Sequence, residues 1–152
     1  MIIGIDPGQS GAIAFFRDSG MEVFPFSKYT PLDSVGLIEE RLGIDARTVC
    51  YIERVASRPK QGVASSFKFG KHFGMYLGIM TALRIPLNYV TPSVWQRDLQ
   101  CLSKGDKNVT KRRAQELFPA HKITHAVADA MLIAEYGRRQ ENKYKGITAN
   151  DL

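Results

Sequence analysis

Cysteines are scarce in this sequence, and long apolar runs are absent from it. The two cysteines in 152 residues, Cys50 and Cys101, do not form a Cys-x-x-Cys pair. Cys50 falls inside an apolar run, so we expect it to be a small core residue rather than a metal ligand, in a reducing compartment such as the cytoplasm. No apolar run approaches the ~20 residues that span a membrane. The stretch after Met1 also lacks the basic region and cleavage pattern of a signal peptide.

The charge balance favours a polyanionic partner. Lysine and arginine number 21 against 15 acidic residues, which gives a formal net charge of +6. The length is that of one ordinary domain, and a hydrophobic content of 44% is typical of a globular protein. The basic residues concentrate in three stretches: Arg54, Arg58 and Lys60; Lys104, Lys107, Lys111, Arg112 and Arg113; and Arg138, Arg139, Lys143 and Lys145.

Apolar alternation and turn residues predict an α/β protein with a mixed five-stranded sheet. The predicted strands are 2–6, 11–16, 21–26, 48–53 and 87–90, and the predicted helices are 30–42, 63–83, 91–99, 109–117 and 125–136. Short turns join the first three strands into an antiparallel meander, whereas the fourth strand follows a helix and should lie parallel to the first. Helices should cover both faces of the sheet. Residues 1–137 would form the domain, and 138–152 a loose, basic polar tail.

The first helix has a recognisable start, and the second has an unusual stripe. Thr30 is followed by a proline and then by Asp33, the pattern of a capping box. In the helix predicted for 63–83, Gly70, Gly74 and Gly78 recur every four residues. Each glycine costs ~1 kcal/mol relative to alanine in a helix interior, and the close approach of another backbone would offset that cost. The partner could be the protein's own sheet or the same helix of a second copy.

Four residues carry the candidate chemistry: Asp6, Glu53, His125 and Asp129. Asp6 and Glu53 each end an apolar strand, and these two strands are expected to be neighbours. Their carboxylates should therefore meet at the C-terminal edge of the sheet, where open α/β sheets build their sites. Asp129 lies in a nearly continuous apolar stretch, where a carboxylate needs a partner to offset its desolvation. His125 lies four residues earlier on the same helix face.

Carboxylates this close would repel one another, and a divalent cation would relieve the repulsion. Oxygen ligands favour Mg²⁺ or Mn²⁺ over zinc. Two such ions ~4 Å apart can hold both the attacking water and the leaving oxygen of a phosphodiester. With basic residues close by, the pattern predicts a metal-dependent nuclease. His125 would be a metal ligand or the group that orients or deprotonates the water.

Three segments of the chain resemble the RuvC-type Holliday-junction resolvases of the RNase H-like nuclease superfamily. They are Ile3–Gly8, Tyr51–Glu53 and His125–Ala130, in matching order and at matching spacing. The resemblance covers about residues 1–137. It implies an RNase H-like fold and a homodimer that cuts two strands of a four-way DNA junction with Mg²⁺ or Mn²⁺. The compact size resembles a phage-encoded member, which would act in the host cytoplasm.

The resemblance gives Asp6, Glu53 and Asp129 the family's metal-binding places. An acid or histidine usually lies three residues before the last aspartate; that position here is an alanine, so the role passes to His125 on the same helix face. Bacterial members tend to have an aromatic residue just after the strand glutamate, where this chain has Arg54. The expected DNA contacts are Arg54, Arg58, Lys60, Lys104, Lys107, Lys111 and Arg112, with Lys107 and Lys111 preferred at the phosphate.

Three other interpretations remain open at this stage. Actin-like and sugar-kinase ATPases share the opening Gly-Ile-Asp motif, but they need two such domains around the nucleotide and this chain has room for one. An RNase H-like nuclease that cuts flaps, nicked duplexes or RNA–DNA hybrids would have the same metal site and differ only in substrate. A non-catalytic binder of branched DNA would need a broken metal site, whereas the three expected acids are present.

Overall fold

The computed structural model describes residues 1–43, 47–54 and 62–147. The strands are β1 (Ile2–Asp6), β2 (Ala12–Arg17), β3 (Gly20–Pro25), β4 (Val49–Glu53) and β5 (Leu87–Val90). The helices are α1 (Pro31–Glu39), α2 (Val63–Ala82), α3 (Pro92–Asp98), α4 (Lys107–Leu117) and α5 (His125–Ile147). Within these ranges, none of the helices has both the length and the apolar character that crossing a bilayer requires.

The five strands form one sheet in the order β3-β2-β1-β4-β5. β1, β2 and β3 pair as an antiparallel meander, and β4 pairs in parallel with β1 on one side and with β5 on the other. This confirms the predicted mixed sheet with the fourth strand beside the first. As a result, the C-terminal ends of β1 and β4 meet at the same edge of the sheet.

Side-chain alternation divides β1 between two hydrophobic cores. Ile3 and Ile5 pack with residues of α1 and α2 on one face, while Gly4 faces α5 on the other. The second core contains residues of α3, α4 and α5. Helices therefore cover both faces, as predicted. Because alternate residues of a strand point to opposite faces, Asp6 belongs to the α5 side with Gly4.

Two glycines let α5 lie unusually close to the sheet. A Cβ added to Gly4 would collide with the carbonyl oxygen of Ala130 and would lie 2.5 Å from the backbone nitrogen of Ala134. A Cβ added to Gly137 would lie 2.5 Å from a ring carbon of Tyr51. Only residues without a side chain allow this contact between helix and strand. The packing fixes how far the first turns of α5 lie from the end of β1.

The last helix is longer than the sequence suggests. The sequence predicts an end near Gly137 and a loose tail, but α5 continues to Ile147. Gly137 serves close packing on β4 rather than ending the helix. Glu135 also forms ion pairs with Arg138 at 2.7 Å and Arg139 at 2.8 Å, and pairs three or four residues apart favour the helical conformation. The prediction of a loose tail is therefore wrong as far as Ile147.

The glycine stripe of α2 does not pack on the protein's own sheet. Gly70, Gly74 and Gly78 are exposed, and a Cβ added at any of them would meet nothing within 4 Å. The interpretation that these glycines serve packing within the chain is therefore wrong. By contrast, the start of α1 matches its prediction: Thr30 and Asp33 form the reciprocal capping box.

Candidate active site

Asp6 and Glu53 end neighbouring parallel strands. Ile5 and Ile52 are in register across β1 and β4, so the next step along both strands sets Asp6 beside Glu53. Strand alternation turns both side chains toward the face where α5 packs. Glu53 is only 7% exposed, which is unusual for a glutamate. The topology thus brings two carboxylates from distant parts of the sequence to one edge of the sheet.

Asp129 adds a third carboxylate from the other side. It lies in the second turn of α5, directly before Ala130, the residue that contacts Gly4. Its Oδ1 atom is buried and has no hydrogen-bond partner among the described residues. A buried carboxylate oxygen without a partner is costly. This atom is therefore suited to a ligand that supplies positive charge.

Burial and the charges of neighbouring carboxylates raise the pKa values of Asp6 and Glu53 well above the ordinary range. The pKa of Asp6 is raised to about 7, first by burial and then by the nearby Asp129 carboxylate, while Lys107 acts in the opposite direction. The pKa of Glu53 rises to about 8, first through burial and then through the charges of Asp6 and Asp129. Near neutral pH, both groups are therefore partly protonated unless a cation compensates their charge.

Two neighbours reduce the pKa shift of Glu53. The fully buried indole of Trp95 and the ammonium group of Lys107 both act to lower it. The indole N–H makes no hydrogen bond of standard length and angle within the described part of the chain. Its effect is therefore that of a nearby dipole rather than of a formed hydrogen bond. Burial and like charge still dominate, so the pKa of Glu53 stays high.

Asp129 has the most complete set of compensating neighbours. Its pKa is raised by burial, but the hydroxyl group of Thr110 and the charges of Lys107 and His125 lower it in part. His125 is exposed and lies one turn before Asp129 at the start of α5. The structure thus brings all four predicted residues into one electrostatic neighbourhood, with His125 at its outer rim.

Lys107 is the cation that acts on every acid of the cluster. It lowers the pKa of Asp6, Glu53 and Asp129. It begins α4 and lines a cleft of about 530 Å³ that also contains Glu53, Asp129 and Lys104. The cleft therefore combines buried negative charge with exposed positive charge, the combination that a metal-bound phosphate group would require.

The three carboxylates are suitable ligands for a hard divalent cation, but they do not form a complete coordination site. Asp6, Glu53 and Asp129 offer carboxylate oxygens only, which favours Mg²⁺ or Mn²⁺. Within the described residues, however, no group of three or more aspartate, glutamate, histidine or cysteine side chains converges closely enough to hold a metal ion. Among these carboxylate oxygens, the buried Oδ1 of Asp129 would gain most from a bound cation, because it has no hydrogen-bond partner among the described residues.

The other predicted DNA contacts lie around this edge or away from it. Arg54 follows Glu53 and stacks over the ring of Tyr89 at 5.7 Å. On α4, Lys111 is half-buried and Arg112 is exposed, and neither lines the cleft. Arg58 and Lys60 lie outside the described residues.

Sequence analysis missed three residues that support the site. Trp95, the single tryptophan, borders Glu53, and Thr110 lies beside Asp129. Thr110 could have been found, because it follows Lys107 by three residues and shares its helix face. The third is His72 on α2, whose Nδ1 accepts a hydrogen bond from the backbone N–H of Gly8 at 3.0 Å. No local pattern indicates this contact, which holds the turn after Asp6.

Solved structures of RuvC from Thermus thermophilus have the same fold as this chain. One has a TM-score of 0.56 at 18% identity and covers 92% of this chain and 96% of its own. A second, described as T. thermophilus RuvC in complex with Holliday junction substrate, has a TM-score of 0.56 at 17% identity and covers 91% and 95%. No family model and no curated protein sequence matches the chain. The predicted RNase H-like, RuvC-type fold is therefore confirmed.

Proposed function

We propose that this chain is a divalent-cation-dependent endodeoxyribonuclease that resolves four-way DNA junctions. The observation that carries the proposal is the cluster of Asp6, Glu53 and Asp129 with Lys107 at the C-terminal edge of the parallel strands. The same fold in T. thermophilus RuvC, which has been solved with a Holliday junction substrate, supports the choice of DNA substrate. The formal net charge of +6 agrees with a nucleic-acid partner.

In this proposal Asp6, Glu53 and Asp129 hold Mg²⁺ or Mn²⁺, with His125 as the fourth ligand or as the base. When bound, the cations supply positive charge that offsets the carboxylate repulsion and assists both water attack and departure of the leaving oxygen. The chain's carboxyl groups must lose their protons first, because protonated carboxyl groups are poor ligands. The raised pKa values of Asp6 and Glu53 therefore make cation loading depend on pH.

The remaining residues of the cleft position the phosphodiester. Lys107 stands beside all three acids, so its ammonium group can bind a non-bridging phosphate oxygen and stabilise the charge that develops there. His125, exposed at the rim, can accept the proton of the water whose oxygen attacks phosphorus. One phosphorus–oxygen bond forms and one breaks, and the leaving sugar oxygen takes up a proton. Lys104 in the same cleft would contact a neighbouring phosphate.

The proposal includes a homodimer, since two strands of a junction must be cut. The three exposed glycines of α2 form a smooth stripe that nothing within 4 Å would block. A second copy of α2 could approach this stripe closely, which would offset the cost of the glycines. Basic residues outside the cleft, among them Arg54, Lys111 and Arg112, would then bind the phosphates of the junction arms. Arg58 and Lys60 remain proposed contacts on the sequence alone.

The test is a cleavage assay with the full chain and Mg²⁺ or Mn²⁺. The substrates are labelled four-way junction, flap, linear duplex and RNA–DNA hybrid. We expect the junction to be cut in two strands and the linear duplex to be spared. If the flap or the hybrid is cut faster than the junction, that substrate replaces the junction in the proposal. If none of the four substrates is cut when Mg²⁺ or Mn²⁺ is present, the proposal of a nuclease is wrong.

Asp6→Asn is the matched control for that assay. It removes one carboxylate charge and keeps the shape of the side chain. We expect cleavage to fall by about 100-fold or more, beyond the loss typical of outer-shell metal partners. Junction binding should be retained or tightened, because a repulsive charge near the phosphates is gone. Loss of binding in parallel with cleavage would argue against a metal role for Asp6.

A further inference from the structure

The loop between α3 and α4 forms one wall of the active-site cleft. It contributes Leu102, Ser103, Lys104 and Gly105 to the lining, and Lys107 follows at the start of α4. Lys104 and Lys107 are both exposed, and neither takes part in an ion pair of the described residues. The position of this loop therefore decides where the positive charge of the cleft lies.

α3 ends in a motif that fixes where the loop leaves the helix. The backbone N–H of Gln100 donates to the carbonyl of Arg97 at 3.1 Å. The backbone N–H of Cys101 donates to the carbonyl of Gln96 at 2.8 Å. Gln100 has a φ of 58°, so the two bonds and this left-handed residue make a Schellman motif. Since Leu99 and Cys101 on either side are buried, the loop starts from an anchored position.

The side chain of Gln96 holds the middle of the same loop. Its Oε1 accepts two hydrogen bonds from Ser103, one from the backbone N–H at 3.0 Å and one from the hydroxyl group at 3.2 Å. A backbone N–H can only donate, so the amide atom that faces it must be the oxygen. Gln96 is half-buried and lines the cleft. One glutamine thus fastens the loop at two points, through its backbone carbonyl and through its side chain.

Ser103 extends this constraint to Lys104. Its carbonyl accepts the backbone N–H of Asp106 at 2.9 Å, which closes a turn, and its hydroxyl oxygen accepts the backbone N–H of Gly105 at 3.3 Å. The two central residues of the turn, Lys104 and Gly105, have φ of 49° and 97°. A positive φ is ordinary for glycine but costs conformational free energy for a lysine. Such a residue persists where its surroundings hold it, and here the hydrogen bonds of Ser103 do so.

The same turn leads directly into Lys107. Asp106 accepts the backbone N–H of Asn108 at 2.9 Å and so caps α4, whose first residue is Lys107. The turn and the cap together set the spacing between Lys104 and Lys107. Without the hydrogen bonds of Gln96, Lys104 would be free to relax to an ordinary φ, and that spacing would change.

We propose that Gln96 is a positioning residue that fixes Lys104 relative to Lys107, so that the cleft binds two consecutive phosphates of the cleaved strand. The phosphate that is cut lies at Lys107, beside the three acids, and the next phosphate of the strand lies at Lys104. The inference rests on the proposed nuclease function and concerns the same cleft. Phosphate contacts set the register of a protein on DNA, and a small misplacement of the reacting group can cost about 100-fold in rate.

A double-mutant cycle separates a positioning role of Gln96 from a merely stabilising one. Gln96→Met keeps the length of the side chain and removes the acceptor, whereas Lys104→Ala removes the charge. If Gln96 acts through Lys104, the double variant loses no more than the more impaired single variant. If Gln96 only stabilises the loop, the two losses multiply. Gln115→Met is the matched control, because Gln115 is exposed on α4 and does not line the cleft.

The cycle is measured on binding and on cleavage. Four-way junction binding is titrated in EDTA, which prevents cutting, and the cleavage rate is taken at saturating protein in Mg²⁺. We expect each single variant to bind about 2- to 5-fold more weakly, and Lys104→Ala to lower the logarithmic salt slope by ~0.9. Cleavage should fall by about 10- to 100-fold, and the double variant should match the more impaired single variant. Multiplied losses, or an equal loss in Gln115→Met, would overturn the inference.

Hydrogen exchange of the Ser103 amide, followed by NMR, examines the loop itself. Because Gln96 accepts this N–H, exchange should be roughly 2- to 10-fold faster in Gln96→Met. It should stay slow in Gln96→Glu, whose carboxylate oxygen still accepts. Unchanged exchange in Gln96→Met would also overturn the inference. If Gln96→Met does not fold, Ser103→Ala takes its place in the cycle, since it removes only the hydroxyl bonds to Gln96 and Gly105; the same non-additive losses are expected.

Metal-dependent cleavage by the unsubstituted chain is scored separately. Cleavage combined with multiplied losses overturns the role of Gln96 alone. Coupled losses in junction binding, without cleavage of any substrate, overturn the nuclease and leave the loop as a phosphate-binding element of a DNA-binding protein.

Discussion

The position that a Cβ of Gly4 would occupy lies 2.5 Å from the backbone nitrogen of Ala134. This close approach lets α5 cross the central strand with its backbone almost on the strand. Because Asp6 follows Gly4 by two residues and Asp129 precedes the crossing on α5, the same approach sets how close the two carboxylates lie. Packing and chemistry therefore depend on one small residue.

Gly4→Ala should destabilise the protein strongly. The added methyl group must displace the backbone of α5, and overpacking typically costs about 1–3 kcal/mol. The free energy of unfolding from denaturant titration measures this. Gly36→Ala is the matched control, since Gly36 lies in α1 with nothing within 4 Å of an added Cβ; it should stabilise by up to about 1 kcal/mol. Equal effects of the two variants would contradict the close crossing.

Without metal, the stability of the protein should fall as pH rises. In the folded state the pKa of Asp6 is about 7 and that of Glu53 about 8, above the ordinary values of 3.8 and 4.5. The folded protein then binds more protons than the unfolded chain between about pH 4 and 8, so raising the pH through this window favours unfolding.

Denaturant titrations at pH 5 and pH 8, in EDTA, measure this loss, and we expect it to be roughly 1–3 kcal/mol. Saturating Mg²⁺ should restore most of the stability at pH 8 by offsetting the carboxylate charges. Asp6→Asn should make the pH dependence shallower. A flat profile in EDTA would mean that the acids are not buried together.

Lys107→Ala should slow cleavage by about 10²–10³-fold, the usual loss when one charge-stabilising donor is removed from an active site. Single-turnover cleavage of the four-way junction in Mg²⁺ measures it. Lys122→Ala is the control: Lys122 is also exposed and does not line the cleft. An equal loss in both variants would assign Lys107 to general electrostatic attraction of DNA.

His72→Ala should loosen the turn after Asp6, because the backbone N–H of Gly8 loses its acceptor. We expect a loss of about 1–3 kcal/mol in the free energy of unfolding. His72→Asn should recover part of it, since an amide oxygen can take the place of Nδ1, and His72→Phe should not. If His72→Asn is as unstable as His72→Ala, ring packing rather than the hydrogen bond supports the turn.

Gly74→Leu should disrupt the proposed dimer while leaving the monomer folded. Gly74 is exposed on α2, and an added side chain meets nothing within this chain, so the variant should not unfold. Sedimentation velocity reports the mass, and circular dichroism checks that the helices are intact. A folded variant with unchanged mass would exclude the glycine stripe as the interface between copies.

Local patterns in the sequence determined much of this fold. The capping box of Thr30 and Asp33, the five strands and the parallel neighbour of β1 follow from residue types and spacing alone. Asp6 and Glu53 could be placed at one edge of the sheet because each ends its strand, and the C-terminal ends of neighbouring parallel strands lie together. These features depend on residues that are near neighbours in the chain. The alternation of strands and the periodicity of helices can therefore be recognised in the amino-acid sequence.

Only the tertiary structure decided which surfaces meet. Gly137 has the appearance of a helix stop, yet it lies against Tyr51; the glycines of α2 suggested internal packing, yet they face outward. The hydrogen bond between His72 and Gly8 joins residues 64 positions apart. No pattern in the sequence around either residue predicts it. Such contacts arise from how whole elements pack, and packing depends on the shapes of surfaces that the chain brings together only after it folds.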